Sequence, residues 1–426
     1  MIIRGRKIGD GMPLLCVSVS DVTSRAIRKR IMYLADRELD AVEWRADNFN
    51  LGREQEATEK ILSMGRHFLR DKIFIYTYRT VNEGGNGIAT GQDYERIVLM
   101  AASSNSCDFV DCEINGISEP GSFIRQIKNY GCRVIASCHD FDGTPDSDEI
   151  MAVLTRMKDA GADICKVAYT PKNSNDVHRL METVQRFKVL NPGVPVIGIS
   201  MGELGVESRI CGEFFGSCLT FAAVEDSDKR SSGGSAPGQV NYTQMGEALQ
   251  AIHRAACCGK KLYFIGFMGT GKTSVTKKLC RFTGCDWVDV DRNIEVSTGK
   301  NITDIFDEVG EEGFRKLETG ELQKIADMPG RLVVSCGGGV VTREENVRIM
   351  RESGEIILLT ATPETVFSRV SGSLSRPILN GHMNIDYIRE LMSLREEAYE
   401  RAATAVVRTD DMGVEQIARH IKKLYF

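Results

Sequence analysis

No charge of one sign dominates this 426-residue chain: 54 Lys and Arg stand against 59 Asp and Glu, a formal net charge of −5. That balance leaves no basic excess for gripping nucleic acid. No apolar run approaches the ~18 residues of a membrane-spanning helix. The start, Met1-Ile-Ile-Arg4-Gly5-Arg6, turns to charge and glycine where a secretory leader needs an apolar stretch of about 7–15 residues. A cytoplasmic protein without membrane or nucleic-acid partners is expected, with a homo-oligomer left open. The 13 Cys include no C-x-x-C and no Cys/His cluster at zinc spacing. Most have apolar neighbours, as in Leu15-Cys16-Val17, so reduced, buried thiols are expected. Internal repeats and low-complexity segments are also missing. Gly84-Gly85-Asn86-Gly87 falls in a loop rather than between a strand and a helix, so no dinucleotide-binding redox domain is indicated.

What remains is an ordinary globular composition, 42% hydrophobic and 27% charged. A prior of about 150 residues per domain gives about 2.8 domains. Up to about residue 256, short apolar runs alternate with amphipathic helical patterns. The runs are Leu14–Val19, Ala41–Arg45, Ile73–Tyr78, Phe109–Glu113, Arg133–Ser137, Ile164–Ala168, Val194–Ile199 and Cys218–Phe221. Eight such strand–helix pairs match a (β/α)8 barrel, and an open doubly wound sheet would show the same alternation. The Gly/Ser stretch 231–235 is not the boundary, because the helical pattern Met245-Ala248-Leu249-Ile252 follows it and supplies the eighth helix. The chain divides instead at Cys257-Cys258-Gly259-Lys260, giving domains 1–257 and 260–426.

The second domain opens with a strand, Leu262–Ile265, followed by Gly266-Phe-Met-Gly269-Thr270-Gly271-Lys272-Thr273, a complete G-x-x-x-x-G-K-[ST] ahead of a helix. Backbone N–H groups of this loop and the helix N-terminus cradle phosphates, Lys272 neutralises them, and the Thr273 hydroxyl suits Mg²⁺. Asp289-Val290-Asp291 ends the next strand, placing both carboxylates on one side at a period of two. Gly337-Gly338-Gly339 follows a further strand and permits close approach of a ligand. In the first domain, the carboxyl ends of the strands carry Glu43, Arg45, Arg79 (with Glu83 four residues on), His139 and Lys166. Of six His, only His139 lies at a strand end. Lys166 sits in an apolar strand, where burial disfavours the charged form and makes a nucleophile towards carbonyls. A snorkelling or ion-paired lysine is the plainer reading.

Residues 260–426 resemble shikimate kinase through the P-loop, Asp289-x-Asp291, Phe314-Arg315, Gly337-Gly-Gly339, Arg376-Pro-Ile-Leu379 and Arg395 ahead of Tyr399. The resemblance implies a P-loop kinase fold (a doubly wound parallel sheet) and ATP with Mg²⁺ as cofactors. It implies that Asp291 activates the shikimate hydroxyl, Asp289 supports Mg²⁺ beside Thr273, and Arg315 and Arg395 clamp the substrate carboxylate near Gly337–Gly339. Gly266, Gly269, Thr270, Gly271, Lys272, Thr273 and Ser274 would hold ATP. Arg376 would be the lid arginine, and Arg369 would lie over the adenine. Residues about 10–256 resemble type I 3-dehydroquinate dehydratase through Glu43-Trp-Arg45-Ala-Asp47, Tyr78-Arg79 with Glu83-Gly-Gly85, Ser137-Cys-His139, Lys166-Val-Ala168, Ser208-Arg209 and Ser235-Ala-Pro-Gly-Gln239. This implies an imine on Lys166 formed with dehydroquinate, proton transfer by His139, and orientation of His139 by Glu83. Glu43, Arg45, Arg79, Arg209, Ser235 and Gln239 would hold the substrate, and no cofactor would be needed. Two other readings are a Schiff-base aldolase and a chain with one inactive, ligand-sensing domain. The intact Lys166, His139, Lys272 and Asp291 speak against the latter.

Overall fold

The computed structural model describes residues 1–9, 11–224, 240–370 and 384–426. Two compact units emerge: Ile8–Ile252, and His253–Phe426 together with Met1–Lys7. The second unit therefore differs from the expected range 260–426. The hairpin of Ile2–Ile3 and Arg6–Lys7 belongs to it, because Ile2 packs on its core and Lys7 Nζ donates to the Glu400 carbonyl at 2.6 Å.

In the first unit, eight strands form one parallel sheet: β1 (Leu14–Val19), β2 (Ala41–Arg45), β3 (Ile73–Thr77), β4 (Phe109–Glu113), β5 (Arg133–Asp140), β6 (Ile164–Tyr169), β7 (Val196–Ser200) and β8 (Leu219–Ala222). Neighbours in sequence are neighbours in space, and β8 returns to pair with β1 from Leu219↔Leu14 to Ala222↔Val17. A single bridge, Val196↔Ser217, joins the remaining edges. This nearly closed ring is the barrel, and it excludes the open sheet. Outward residues such as Val17, Val42, Phe74 and Val110 pack under helical stripes such as Ile27, Ile31 and Leu34. The helices start where capping side chains allow: Asp146 accepts the N–H groups of Asp148 and Glu149, and Asn173 that of Asp176. The expected eighth helix is Tyr242–Ala256, with Met245 and Leu249 buried.

The second unit is a five-stranded parallel sheet of β9 (Lys261–Ile265), β10 (Asp286–Asp289), β11 (Leu332–Ser335), β12 (Gly354–Thr360) and β13 (Ala405–Arg408). Its spatial order is β10-β11-β9-β12-β13. Separate apolar clusters cover its two faces, one around Tyr263, Val334 and Ile356 and the other around Phe264, Val333 and Ile357. Strand order reverses beside β9, so the crevice beyond the strand ends opens there. Among the described residues, no helix is long and apolar enough to cross a membrane.

Candidate active sites

In the barrel, Lys166 lies midway along β6, paired with Ser137 on β5 and Ile197 on β7, and is 5% exposed. Its surroundings are not apolar as the sequence suggested. Nζ donates to Asp111 Oδ2 at 3.1 Å, lies 3.9 Å from Glu43 Oε1, and sits 4.7 Å over the Phe221 ring. Glu43 accepts the hydroxyls of Ser18 (2.6 Å) and Thr77 (2.8 Å). Arg79, 3% exposed, is the hub. Its Nη2 donates to Asp111 at 2.8 Å, and its Nη1 to Glu83 (3.2 Å), Glu113 (3.1 Å) and Ser137 (2.9 Å). Removing one partner from so buried a set of charges costs about 3–5 kcal/mol, because the other charge is left uncompensated.

Glu83 reaches this cluster from the 3-10 turn Val81–Glu83, which is closed by left-handed Gly84 (φ 75). A Cβ on Gly84 would fall 2.1 Å from the Phe141 ring, which explains the glycine. Glu83 Oε2 accepts the His139 backbone N–H at 3.2 Å and meets His139 Nδ1 at 2.8 Å. Burial pushes the Glu83 carboxyl up to about 8 against the pull of Arg79, and its buried Oε1, unpartnered among the described residues, has room for the proton. Burial, then Arg79, Lys166 and Arg45, hold the His139 imidazole well below its usual range, so it is neutral near pH 7. Arg45 makes two 2.9 Å bonds to Asp47, which also accepts the Arg79 backbone N–H at 3.2 Å. Arg209 is 2% exposed, and burial lowers it to about 10. Its Nε has no partner among the described residues. Ser235 and Gln239 lie outside the described residues. Asp111 and Glu113 escaped the sequence reading, although Phe109-Val-Asp-Cys-Glu113 puts two acids on one strand face.

In the second unit, β9 feeds the glycine-rich loop into the helix Lys272–Thr283. Lys272 Nζ donates to the carbonyls of Gly266 (2.8 Å) and Phe267 (3.0 Å), and the Thr273 and Ser335 hydroxyl oxygens are 3.4 Å apart. The loop borders a cavity of about 1270 Å³. Of the residues expected there, Gly269, Thr270, Gly271, Lys272, Thr273, Ser274, Asp289, Asp291, Arg315, Gly337, Gly338, Gly339, Arg369 and Arg395 line it. Gly266 does not, and Arg376 lies outside the described residues.

The period-two argument for the two aspartates fails. β10 stops at Asp289, which caps the helix Val290–Thr298 by accepting the Arg292 N–H at 3.3 Å, and Asp291 sits in that helix's first turn. Both carboxylates still line the cavity. Burial, with Asp289 adding to it, raises Asp291 to about 6. Arg315 is held by Glu318 (3.3 Å) and Glu311 (3.0 Å), and burial lifts the fully buried Glu318 to about 7. The sequence reading had missed Glu318. The Gly338 carbonyl accepts from Arg395 at 3.3 Å and from the Tyr399 hydroxyl. Arg369 is fixed on Thr409 by bonds of 2.9 and 2.6 Å.

Residues 15–256 match the family model for type I 3-dehydroquinase, and residues 268–425 that for shikimate kinase. The 3-dehydroquinate dehydratase of Bacillus subtilis (strain 168) is 32% identical over 255 residues, 60% of this chain and 97% of that protein. The crystal structure of type I 3-dehydroquinate dehydratase from Clostridium difficile, with covalent modified comenic acid, shares 31% identity at a TM-score of 0.56, covering 60% of this chain and 98% of that one. Shikimate kinase from Acinetobacter baumannii in complex with shikimate shares 30% identity, covering 40% of this chain and 94% of that one at a TM-score of 0.38. The chain thus belongs to the type I 3-dehydroquinase family and carries a shikimate kinase domain behind the barrel, a bifunctional enzyme of the shikimate pathway.

Proposed function

We propose that the barrel dehydrates 3-dehydroquinate to 3-dehydroshikimate through a Schiff base on Lys166, with His139 carrying the proton. One observation bears most of this reading: Lys166 and the His139–Glu83 pair are joined through Asp111 and Arg79 in a single buried cluster. Nζ adds to the substrate ketone, and water leaves. The resulting iminium withdraws electrons and acidifies the neighbouring carbon. His139 Nδ1 is committed to Glu83, so Nε2 of the neutral ring takes that proton and later delivers it to the departing hydroxyl. Hydrolysis then frees Lys166. Glu43, Arg45, Arg79, Arg209, Ser235 and Gln239 hold the substrate; the unpartnered Arg209 Nε suits its carboxylate. No cofactor enters this sequence. The covalent modified comenic acid in the Clostridium difficile relative supports covalent chemistry in such barrels.

In the second domain, the transfer of phosphate from ATP to shikimate is assigned to the lined cavity. Asp291 takes the proton of the attacking hydroxyl, Arg315 and Arg395 bind the carboxylate beside Gly337–Gly339, and Lys272 holds the phosphates. Thr273 and Asp289 offer hard oxygen ligands on the same cavity wall, which fits Mg²⁺. Bound there, Mg²⁺ would neutralise phosphate charge. Arg369 and Arg376 complete the nucleotide side. The activities are assigned to 1–257 and 260–426, in a cytoplasmic protein without nucleic-acid or membrane partners. The test is borohydride reduction in the presence of dehydroquinate followed by peptide mapping. A reduced adduct is expected on Lys166, and an adduct elsewhere, or none, refutes the barrel mechanism.

A further inference from the structure

We propose that Asp111 is the counter-ion of the covalent intermediate on Lys166: a buried carboxylate whose Oδ2 accepts the N–H of the lysine nitrogen before and after that nitrogen joins the substrate. The proposal rests on the Schiff-base reading above. Asp111 is 1% exposed and sits midway along β4, facing Lys166 across the barrel interior at 3.1 Å. Its other oxygen accepts from Arg79 Nη2 at 2.8 Å and from the Ser137 hydroxyl at 2.6 Å. Every group on the two oxygens is thus a donor, and two of the three are cationic side chains.

Burial alone would raise this carboxyl, but Arg79 and Lys166, helped by the Ser137 hydroxyl, hold it below the ordinary aspartate range. A carboxylate so held is a poor acceptor for the lysine proton and a good fixed charge. The ammonium, R–NH₃⁺, first gives one proton to the neutral His139 ring, because only the free amine has a lone pair for the ketone. The C–N bond then forms, a second proton passes from nitrogen to the carbinolamine oxygen, and the proton held by His139 returns to that oxygen as the C–O bond breaks. Water departs and the iminium, R–NH⁺=C, remains. The nitrogen is therefore cationic before the addition and again after the loss of water, and Asp111 faces that charge in both states. This is electrostatic stabilisation organised before the reaction. Glu43 is a poorer candidate. It lies 3.9 Å away, and its nearer oxygen already accepts the Thr77 hydroxyl.

Among the described residues, the other ionisable groups around the pair are Cys16 on β1, Glu43 on β2, Arg79 and Glu83 after β3, Tyr94 on the helix Gly91–Ser103, Cys112 and Glu113 on β4, and His139 on β5. Among these, Arg79 bonds both Asp111 and Glu83.

The experiment uses the full chain, as parent, Asp111→Asn and Asp111→Glu, with dehydroquinate and borohydride from acid to alkaline pH and dehydration measured in parallel. Asn keeps the shape and the Ser137 contact but not the charge. The alkaline limit of both trapping and kcat is expected to fall by about 1–3 pH units in Asp111→Asn, the effect of losing an opposite charge at this range. KM should change less than kcat, and a parent-like circular-dichroism spectrum with a cooperative melt shows that the variant barrel is folded. Asp111→Glu retains the charge, and its limit should stay within about half a unit of the parent's. A parent-like limit in Asp111→Asn overturns the assignment, since a purely structural carboxylate would lower Tm and leave the limit in place. So does a limit displaced by more than about one unit in Asp111→Glu, whether or not Asp111→Asn folds. If the parent itself traps no adduct, the Schiff-base reading falls first, and that result is visible before any variant is compared.

Discussion

Asp291 shows how a single side chain can trade stability for chemistry. Its carboxyl is pushed up to about 6 because burial, and Asp289 after it, oppose the charge. In its proposed role as base it must be ionised, so kinase kcat/KM is expected to hold above about pH 6 and to fall as pH drops through that value. Asp291→Asn should lower kcat by about 100- to 10,000-fold, the usual worth of a general base, and an unchanged turnover number refutes the role. The linkage to folding runs the other way. Between about pH 4 and 6 the folded chain holds a proton that the unfolded chain has released, so rising pH destabilises the fold across that window. The same substitution should therefore stabilise the kinase unit near pH 7 by on the order of 2–3 kcal/mol, read as a higher thermal midpoint. At this scale the sequence was legible wherever a residue type looked out of place, as with Lys166 and His139. Asp111 and Glu113 passed unnoticed because a five-residue run reads as apolar when its outward face is Val110 and Cys112.

The elements explain the remaining successes and the misplaced strand ends. Strand runs in the barrel were readable because both faces of a parallel strand are covered and the run stays apolar. The strand ends were less legible: β5 extends to Asp140, three residues beyond the expected Ser137, carried by its pairing with β6 up to Tyr169. Asp291 was read as strand because alternation looks the same until a capping side chain, here that of Asp289, turns the backbone into a helix. The loop after β11 gives a sharper test. A Cβ at Gly339 would lie 2.0 Å from Arg315 Nη2, so Gly339→Ala must move the guanidinium away from Glu318 and Glu311. Overpacking of about 1–3 kcal/mol should raise the KM for shikimate about 5- to 150-fold. The KM for ATP should stay near the parent's, since Lys272 and Thr273 are untouched. Steady-state kinetics with each substrate varied in turn distinguishes the two.

At the scale of the whole molecule, the two activities reside in sites with no residue in common. Lys272→Ala is therefore expected to cut shikimate phosphorylation by about 100- to 1,000-fold, the usual loss for one group stabilising transition-state charge. Dehydration of 3-dehydroquinate should be unchanged, and loss of both activities in one variant would reveal coupling. The strand count and the P-loop made the two-part organisation readable from sequence. The destination of the first seven residues was not, because Ile2-Ile3 followed by Arg6-Lys7 carries no pattern naming the core it packs on. That hairpin makes the kinase unit discontinuous, with the entire barrel inserted between its two pieces. During synthesis its first piece precedes the strand Ala405–Arg408, and the Glu400 carbonyl that receives Lys7, by about four hundred residues. At about 5–20 residues per second, that is a wait of about 20–80 s. Long before it ends, the last barrel strand has been made, so the inserted unit has its whole sequence while the discontinuous one still lacks most of its own.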